Sequence, residues 1–263
     1  MKLTPQLVRT FVALGSSALA LLTVGVADAA PTPSFGAELQ EAEQAMPNPE
    51  HGARLFEMCA GCHGAHRPGI AGSWIPEIAG QHPRVLLKQL IDYRHGRRWD
   101  TRMELIAGRH VLVSTQDIAD VVAYASALAP FAPSRVGPGQ WVPQGQEAYA
   151  ERCAECHGRG GEGSNSRAVP RLTGQSYDYL LRQLHDTLEG RRPGLAPVHR
   201  PALRRLGMEQ LSGLADFLAR MQPSPATAER TQRPTQSALA SASNSAGVIT
   251  QMPSSRKRLA PTL

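Results

Sequence analysis

Two five-residue runs, Cys59-Ala60-Gly61-Cys62-His63 and Cys153-Ala154-Glu155-Cys156-His157, constrain this chain more than any other feature. They lie 94 residues apart. The same offset lays GQHPRVLLKQLIDYRHGRR, residues 80–98, on GQSYDYLLRQLHDTLEGRR, residues 174–192, so that Gly-Gln, Leu-Leu, Gln-Leu, Asp and Gly-Arg-Arg recur in register. Self-similarity at a fixed offset marks one structural unit copied in tandem. The two runs hold all four cysteines of the chain, which leaves none for a structural disulfide or a lone nucleophile.

In a C-x-x-C-H run each thiol forms a thioether with a haem vinyl group and the imidazole binds iron. Spacings of three and four residues put Cys59, Cys62 and His63, and likewise Cys153, Cys156 and His157, on one side of a helical turn, which suits one planar ligand. A thioredoxin-like reading wants a βαβ context that neither copy has. A zinc site built from both pairs wants about 15 to 20 residues between them, far fewer than separate the two runs here. The reading is therefore two covalently bound haem c groups.

The chain opens with Lys2 and Arg9, an apolar stretch from Phe11 to Val26 and the small residues Ala27-Asp28-Ala29-Ala30, the pattern of a cleaved export signal over residues 1–29. The apolar run is shorter than the ~20 residues a membrane span needs, and no other stretch could cross a bilayer, so the mature protein is expected in the periplasm without a transmembrane segment. Each half reads as three main helices. The first opens at Asn48-Pro49, a capping residue with proline at the first helical position. The second follows His82-Pro83 and ends at Gly96, with its copy running from Ser176 to Gly190. The third begins near Ser114, with Ile118, Val121, Val122, Ala125 and Leu128 on one face, and its copy repeats the stripe as Leu211, Leu214, Ala215 and Leu218. No sustained alternation suggests strands.

The expected fold is all-α: a first haem domain over residues 47–131, a linker over 132–143 rich in proline and glycine, a second haem domain over 144–222 and a disordered basic tail over 223–263. The tail has almost no large apolar side chain and cannot offset the entropy of ordering. The formal net charge of +6 resides mostly there: residues 223–263 carry +4, residues 1–29 carry +1, and the rest only +1. A nucleic-acid partner is therefore not expected; a weak contact of the tail with acidic lipid is left open beside a solvated end.

An electron-transfer haem takes a second axial ligand from a later segment, usually Met or His. In the first half Met103, His66, His82, His95 and His110 qualify. Met103, in a loop after the Gly96-Arg97-Arg98 turn, is placed to return to the iron, the competing reading being a packed core methionine. Arg97-Arg98 and Arg191-Arg192, near the ligand loops, suit either haem propionates or solvent.

The string CAGCHG, then IPEIAGQHPRVLLKQLIDYRHGRRWDTRM, then STQDIADVVAYASAL resembles the two-haem cytochrome c4 family, tandem small cytochromes, over residues 47–222. The resemblance implies electron shuttling between membrane-bound respiratory complexes and terminal oxidases. It also implies that the methionine of the Gly-x-Arg loop, Met103, is the sixth ligand of the first iron. The second half departs from the family pattern. The 94-residue offset carries Met103 onto Pro197, and the loop RRPGLAPVHRPALRRL has no methionine. His199 lies two residues on and eighteen before Phe217, the aromatic of the last helix, a spacing common in such families. It is the expected sixth ligand of the second iron, ahead of Met208 and Met221, both expected to pack in the core, mid-helix His185, and an open iron.

Thioether ligation raises a haem's reduction potential relative to bis-imidazole ligation. The expectation is a higher-potential first haem and electrons that enter at the second domain and leave from the first, in a carrier serving periplasmic or membrane-bound redox proteins. The alternatives are the haem subunit of a periplasmic dehydrogenase, such as a sulfide-oxidising flavocytochrome, or a peroxidase-like enzyme. The cysteine-ligated chemistry of thiosulfate-oxidising two-haem enzymes wants a fifth cysteine, which is lacking.

Overall fold

The computed structural model describes residues 32–64, 74–130 and 135–222. The expected export signal, the basic tail, His66 and linker residues 132–134 lie outside them. Ten helices make up the described chain: α1 (Phe35–Gln44), α2 (Pro49–His63), α3 (Pro83–Arg94), α4 (Thr101–Ala107), α5 (Thr115–Ala127), α6 (Val142–Arg152), α7 (Ala154–His157), α8 (Tyr177–Leu188), α9 (His199–Leu203) and α10 (Met208–Arg220). The described residues contain no strand beyond one isolated bridge between Ser164 and Val169.

The expected helix starts are physically explained. Asn48 accepts from the amides of Glu50 and His51, both at 3.1 Å, with Pro49 supplying a φ already helical. Ser114 and Asp117 cap α5 reciprocally. Two elements differ from expectation. Met103 sits on the short helix α4 and not in a loop, because Asp100 caps the Met103 amide at 3.4 Å. Helix α1 precedes both repeats; its Ala42 is buried, and Phe35 and Leu39 pack against the first core.

In each half the first helix crosses the last. Phe56 meets Tyr124 with ring centroids 5.3 Å apart in one, and Tyr149 meets Phe217 at 5.6 Å in the other. At the crossings Gly52 and Gly145 let backbones touch: a Cβ on Gly145 would lie 2.0 Å from the carbonyl carbon of Gly213. Phe56 precedes Cys59 by three residues, whereas Tyr149 precedes Cys153 by four. That extra residue cannot be absorbed by a continuous helix of fixed pitch, and the helical run breaks at Cys153 (φ −122°, ψ −37°), dividing α6 from α7.

The cores are separate but the halves join through a quasi-twofold set of hydrogen bonds. The Gln81 amide donates to Arg171 O at 2.8 Å and accepts from Arg171 N at 2.9 Å. Its counterpart in the repeat, Gln175, donates to Glu77 O at 2.5 Å and accepts from Glu77 N at 3.0 Å. Gly194 N donates to Arg97 O at 2.7 Å, and Trp99 N to Arg191 O at 2.9 Å. Equivalent residues thus make the same contacts from opposite halves of the seam, as a duplicated unit packed on itself requires.

Asp120 ties the first crossing together, accepting from Asn48 N and Gln116 Nε2 at 2.7 Å each and from His51 Nδ1 at 2.7 Å. Burial pushes its carboxyl up, but these hydrogen bonds outweigh burial and hold it below the ordinary 3.8. A depressed carboxylate contributes stability above its unfolded pKa and loses it as the pH falls through the native one. Asp120→Asn should therefore cost about 2 kcal/mol at pH 7, a gap that narrows below about pH 4, as urea titration of the holoprotein across pH would report. Gly145→Ala should cost the second half roughly 2 kcal/mol by overpacking, read as a lower melting temperature.

Candidate functional site

Both C-x-x-C-H runs end a helix, and both histidines are oriented in the same way. His63 is buried and its Nδ1 lies 2.9 Å from Pro76 O; His157 is likewise buried with Nδ1 3.1 Å from Pro170 O. A carbonyl only accepts, so Nδ1 carries the proton in each ring and the Nε2 lone pair is left to a metal. Burial, the main cause, holds both imidazoles below the ordinary 6.5, which favours the neutral, ligating form. Burial also pushes the Cys59 and Cys153 thiols up to about 11, while Cys62 and Cys156 are exposed. Both pairs are free of disulfide bonds, as thioether formation needs. The proline carbonyls were not singled out in the sequence, although Ile75-Pro76 and Val169-Pro170 repeat at the 94-residue offset and carried the signal.

Beside His63 opens a cavity of about 250 Å³ lined by Phe56, Ile78, Leu86, Leu90, Leu112 and Val122 on its apolar side, with Cys59, Cys62 and Met103 on its wall. Of the other first-half ligand candidates, His82 donates through Nε2 to Glu162 O at 2.9 Å, His95 is engaged by Glu38 at 2.7 Å, and His110 is exposed. Met103 and His63 are thus brought to one cavity.

In the second half the rings of His157 and His199 lie 6.1 Å apart, centroid to centroid, at 70°. Two imidazoles on opposite sides of one metal ion, each bonded at about 2 Å, have centroids roughly 6 Å apart. His199 opens α9, and its Nδ1 lies 3.0 Å from Ala196 O, so its Nε2 too is free to ligate. Met221 packs against the second core; Met208 does not, being 67% exposed at the start of α10, and His185 lies mid-helix in α8. The expectation for Met208 is thereby corrected: its position at the first residue of the helix points it to solvent.

The polar end of the cavity is cationic. Buried Arg98 donates to Tyr179 OH at 2.9 Å, to Gln183 Oε1 at 2.7 Å and to Gln89 Oε1, all neutral acceptors. Arg192 lines the same cavity; burial and then the Arg98 charge lower its pKa to about 10. The Nε atoms of Arg192 and Arg182 are buried without a hydrogen-bond partner among the described residues. Arg182 already pairs with Asp100, whereas Arg98 meets only neutral acceptors, and a buried guanidinium so placed is costly until an anion joins it. An apolar slot, a free imidazole nitrogen, two thiols and orphaned guanidinium donors fit a haem with its two carboxylates. The two arginine pairs divide accordingly: Arg98 and Arg192 line the cavity, whereas Arg97 and Arg191 are about half-exposed and pair with Asp92 and Asp186.

The fold and this site define a tandem pair of haem-binding helical domains. The sequence model of the family "Cytochrome c" matches residues 49–129 and again 142–222. Cytochrome c4 of Azotobacter vinelandii is 30% identical over 177 residues, 61% of this chain and 83% of that one. The "Thiosulfate dehydrogenase electron acceptor" of Stutzerimonas stutzeri is 31% identical over 140 residues, covering 51% and 64%. The crystal structure of reduced recombinant cytochrome c4 from Pseudomonas stutzeri superimposes with a TM-score of 0.59 at 26% identity, covering 67% of this chain and 100% of that one. The chain belongs to the cytochrome c family and, within it, to the two-haem cytochromes c4. It is a di-haem electron-transfer cytochrome carrying two covalently bound haem c, on Cys59 and Cys62 and on Cys153 and Cys156.

Arg192→Gln should lower the potential of the first haem by roughly 30–60 mV, since removing a nearby cation favours the ferric state by about 1 kcal/mol. Spectroelectrochemical titration reads this, and an unshifted potential would mean that the guanidinium faces no haem.

Proposed function

We propose that this protein relays single electrons between redox proteins of the periplasm, with His63 and Met103 ligating the first iron and His157 and His199 the second. The haem supplies one-electron chemistry, its iron cycling between ferric and ferrous states. The polypeptide supplies ligands, burial and charge. His63 and His157, held by the Pro76 and Pro170 carbonyls, present neutral nitrogens in fixed directions. A thioether on one iron and a second imidazole on the other separate the two potentials, the second domain being the lower. Electrons then enter at the second domain and leave from the first. The observation that carries the reading is the 6.1 Å separation of His157 and His199, which matches the span of two imidazoles across one iron.

The domain limits we propose are residues 47–131 and 144–222 joined by 132–143, with residues 1–29 directing export. A weak membrane-surface contact through residues 223–263 is the remaining part of the partner reading, tested by clipping the tail and measuring membrane retention. A second reading is favoured by the similarity to a thiosulfate dehydrogenase electron acceptor: the chain serves as the haem partner of a periplasmic dehydrogenase. Stable co-purification with such an enzyme would select it. Rapid peroxide turnover would select an enzyme instead, and a second iron closed by His199 argues against that.

Low-temperature electron paramagnetic resonance with a redox titration, on wild type and His199→Ala, tests the ligand set. Wild type should show two low-spin ferric signals with potentials differing by ~0.1 V, within the ~0.8 V that axial ligands can span. His199→Ala should abolish the signal of the lower-potential haem alone. An unchanged spectrum removes His199 from the iron.

A further inference from the structure

Helix α1 stands upstream of both repeats, yet its only fully buried carboxylate reaches the segment that carries Met103. Glu38 is 0% exposed. It accepts from Arg94 through Oε1, and through Oε2 from His95 Nε2 at 2.7 Å and Arg109 at 2.8 Å. Burial pushes this carboxyl up, and the hydrogen bonds from His95 and Arg94 together with the charges of Arg94 and Arg109 outweigh it, so the group is ionised. Arg94 also donates to two carbonyls: from Nε to Ala107 O at 2.7 Å, and from a terminal nitrogen to Leu112 O. Ala107 is the last residue of α4 and Leu112 lies in the turn that leads to α5. One guanidinium therefore clamps the end of α4 to the turn behind it, and Glu38 holds that guanidinium in place. Phe35 adds to the grip, stacked under Arg97 at 4.2 Å and edge-on to His95 at 5.9 Å. The other end of α4 is fixed by Asp100, which caps Met103 N and accepts from Arg182 of the second half at 2.9 Å. Met103 lies between these two anchors.

We propose that Glu38 is a positioning residue for the first iron: acting through Arg94, it immobilises α4 and so keeps Met103 from being displaced by competing ligands. The inference rests on Met103 as sixth ligand. Thioether sulfur is a weak ligand for ferric iron, so its retention depends on how rigidly its segment is held. Without Glu38 the buried Arg94 loses its counter-charge and must rearrange, freeing the Ala107 carbonyl.

The experiment is a titration of the ferric holoprotein with imidazole, followed by loss of the long-wavelength methionine–iron charge-transfer band. Glu38→Gln should raise the apparent affinity of the first haem for imidazole roughly tenfold or more, as loss of an outer-shell partner does elsewhere. Arg109→Gln, at a half-exposed position that should fold normally, should raise it by about threefold. Asp120→Asn weakens the same domain at its other end and should leave the affinity unchanged. Wild-type affinity in Glu38→Gln and Arg109→Gln, or an equal rise in Asp120→Asn, would overturn the proposal. The ligand reading fails separately, through a Met103→Ala protein that keeps the charge-transfer band.

Discussion

Two haems, each anchored by a pair of thioethers to a helix end, are the constraint from which the remainder follows. A domain of about 80 residues buries too little apolar surface to be robust alone, and aromatic residues make up only 5% of this chain. The apolar side of the cavity beside His63 is walled among the described residues by side chains such as Ile78, Leu86, Leu90 and Leu112. The macrocycle completes the core. The same anchoring forces each histidine into burial, where its bond to a proline carbonyl satisfies Nδ1 and leaves Nε2 to the iron.

Duplication supplied two such units, and their seam uses the duplicated residues against each other. Gln81 and Gln175 each read the other half's backbone through both ends of an amide. Arg98 crosses the seam to Tyr179 and Gln183, so the cationic end of the first cavity is built partly by the second half. The second half thus forms part of the wall that a haem on Cys59 and Cys62 would face. The halves then diverged where function allows. One extra residue before Cys153 split a helix in two without moving the histidine from its carbonyl, and His199 lies beside His157 in a half whose corresponding loop has no methionine.

Much of this was legible in the sequence because it depends on local spacing. Asn48-Pro49, Ser114 with Asp117, and the 94-residue repeat each specify a helix start or a domain copy through short-range rules. His199 could be singled out by its distance from Phe217, although counting residues could not bring it to face His157; that follows from the turn through Ala196 and the start of α9. What escaped was non-local. The apolar stripe of α1 is short, with Phe35, Leu39 and Ala42 too few to stand out, and Glu38 reads as a surface residue until Arg94, His95 and Arg109 are folded around it. The inward aim of Arg98 and Arg192 likewise depends on the seam, and adjacent arginines look alike until one half covers the other.

Intact-mass spectrometry of the protein recovered from cells competent for haem attachment, with peptide mapping of both motifs, tests the central claim most directly. The account expects two added haem masses, one on the peptide holding Cys59 and Cys62 and one on that holding Cys153 and Cys156, with no free thiol. Bare thiols or a cystine at either pair, in protein that is folded and stable, would contradict it.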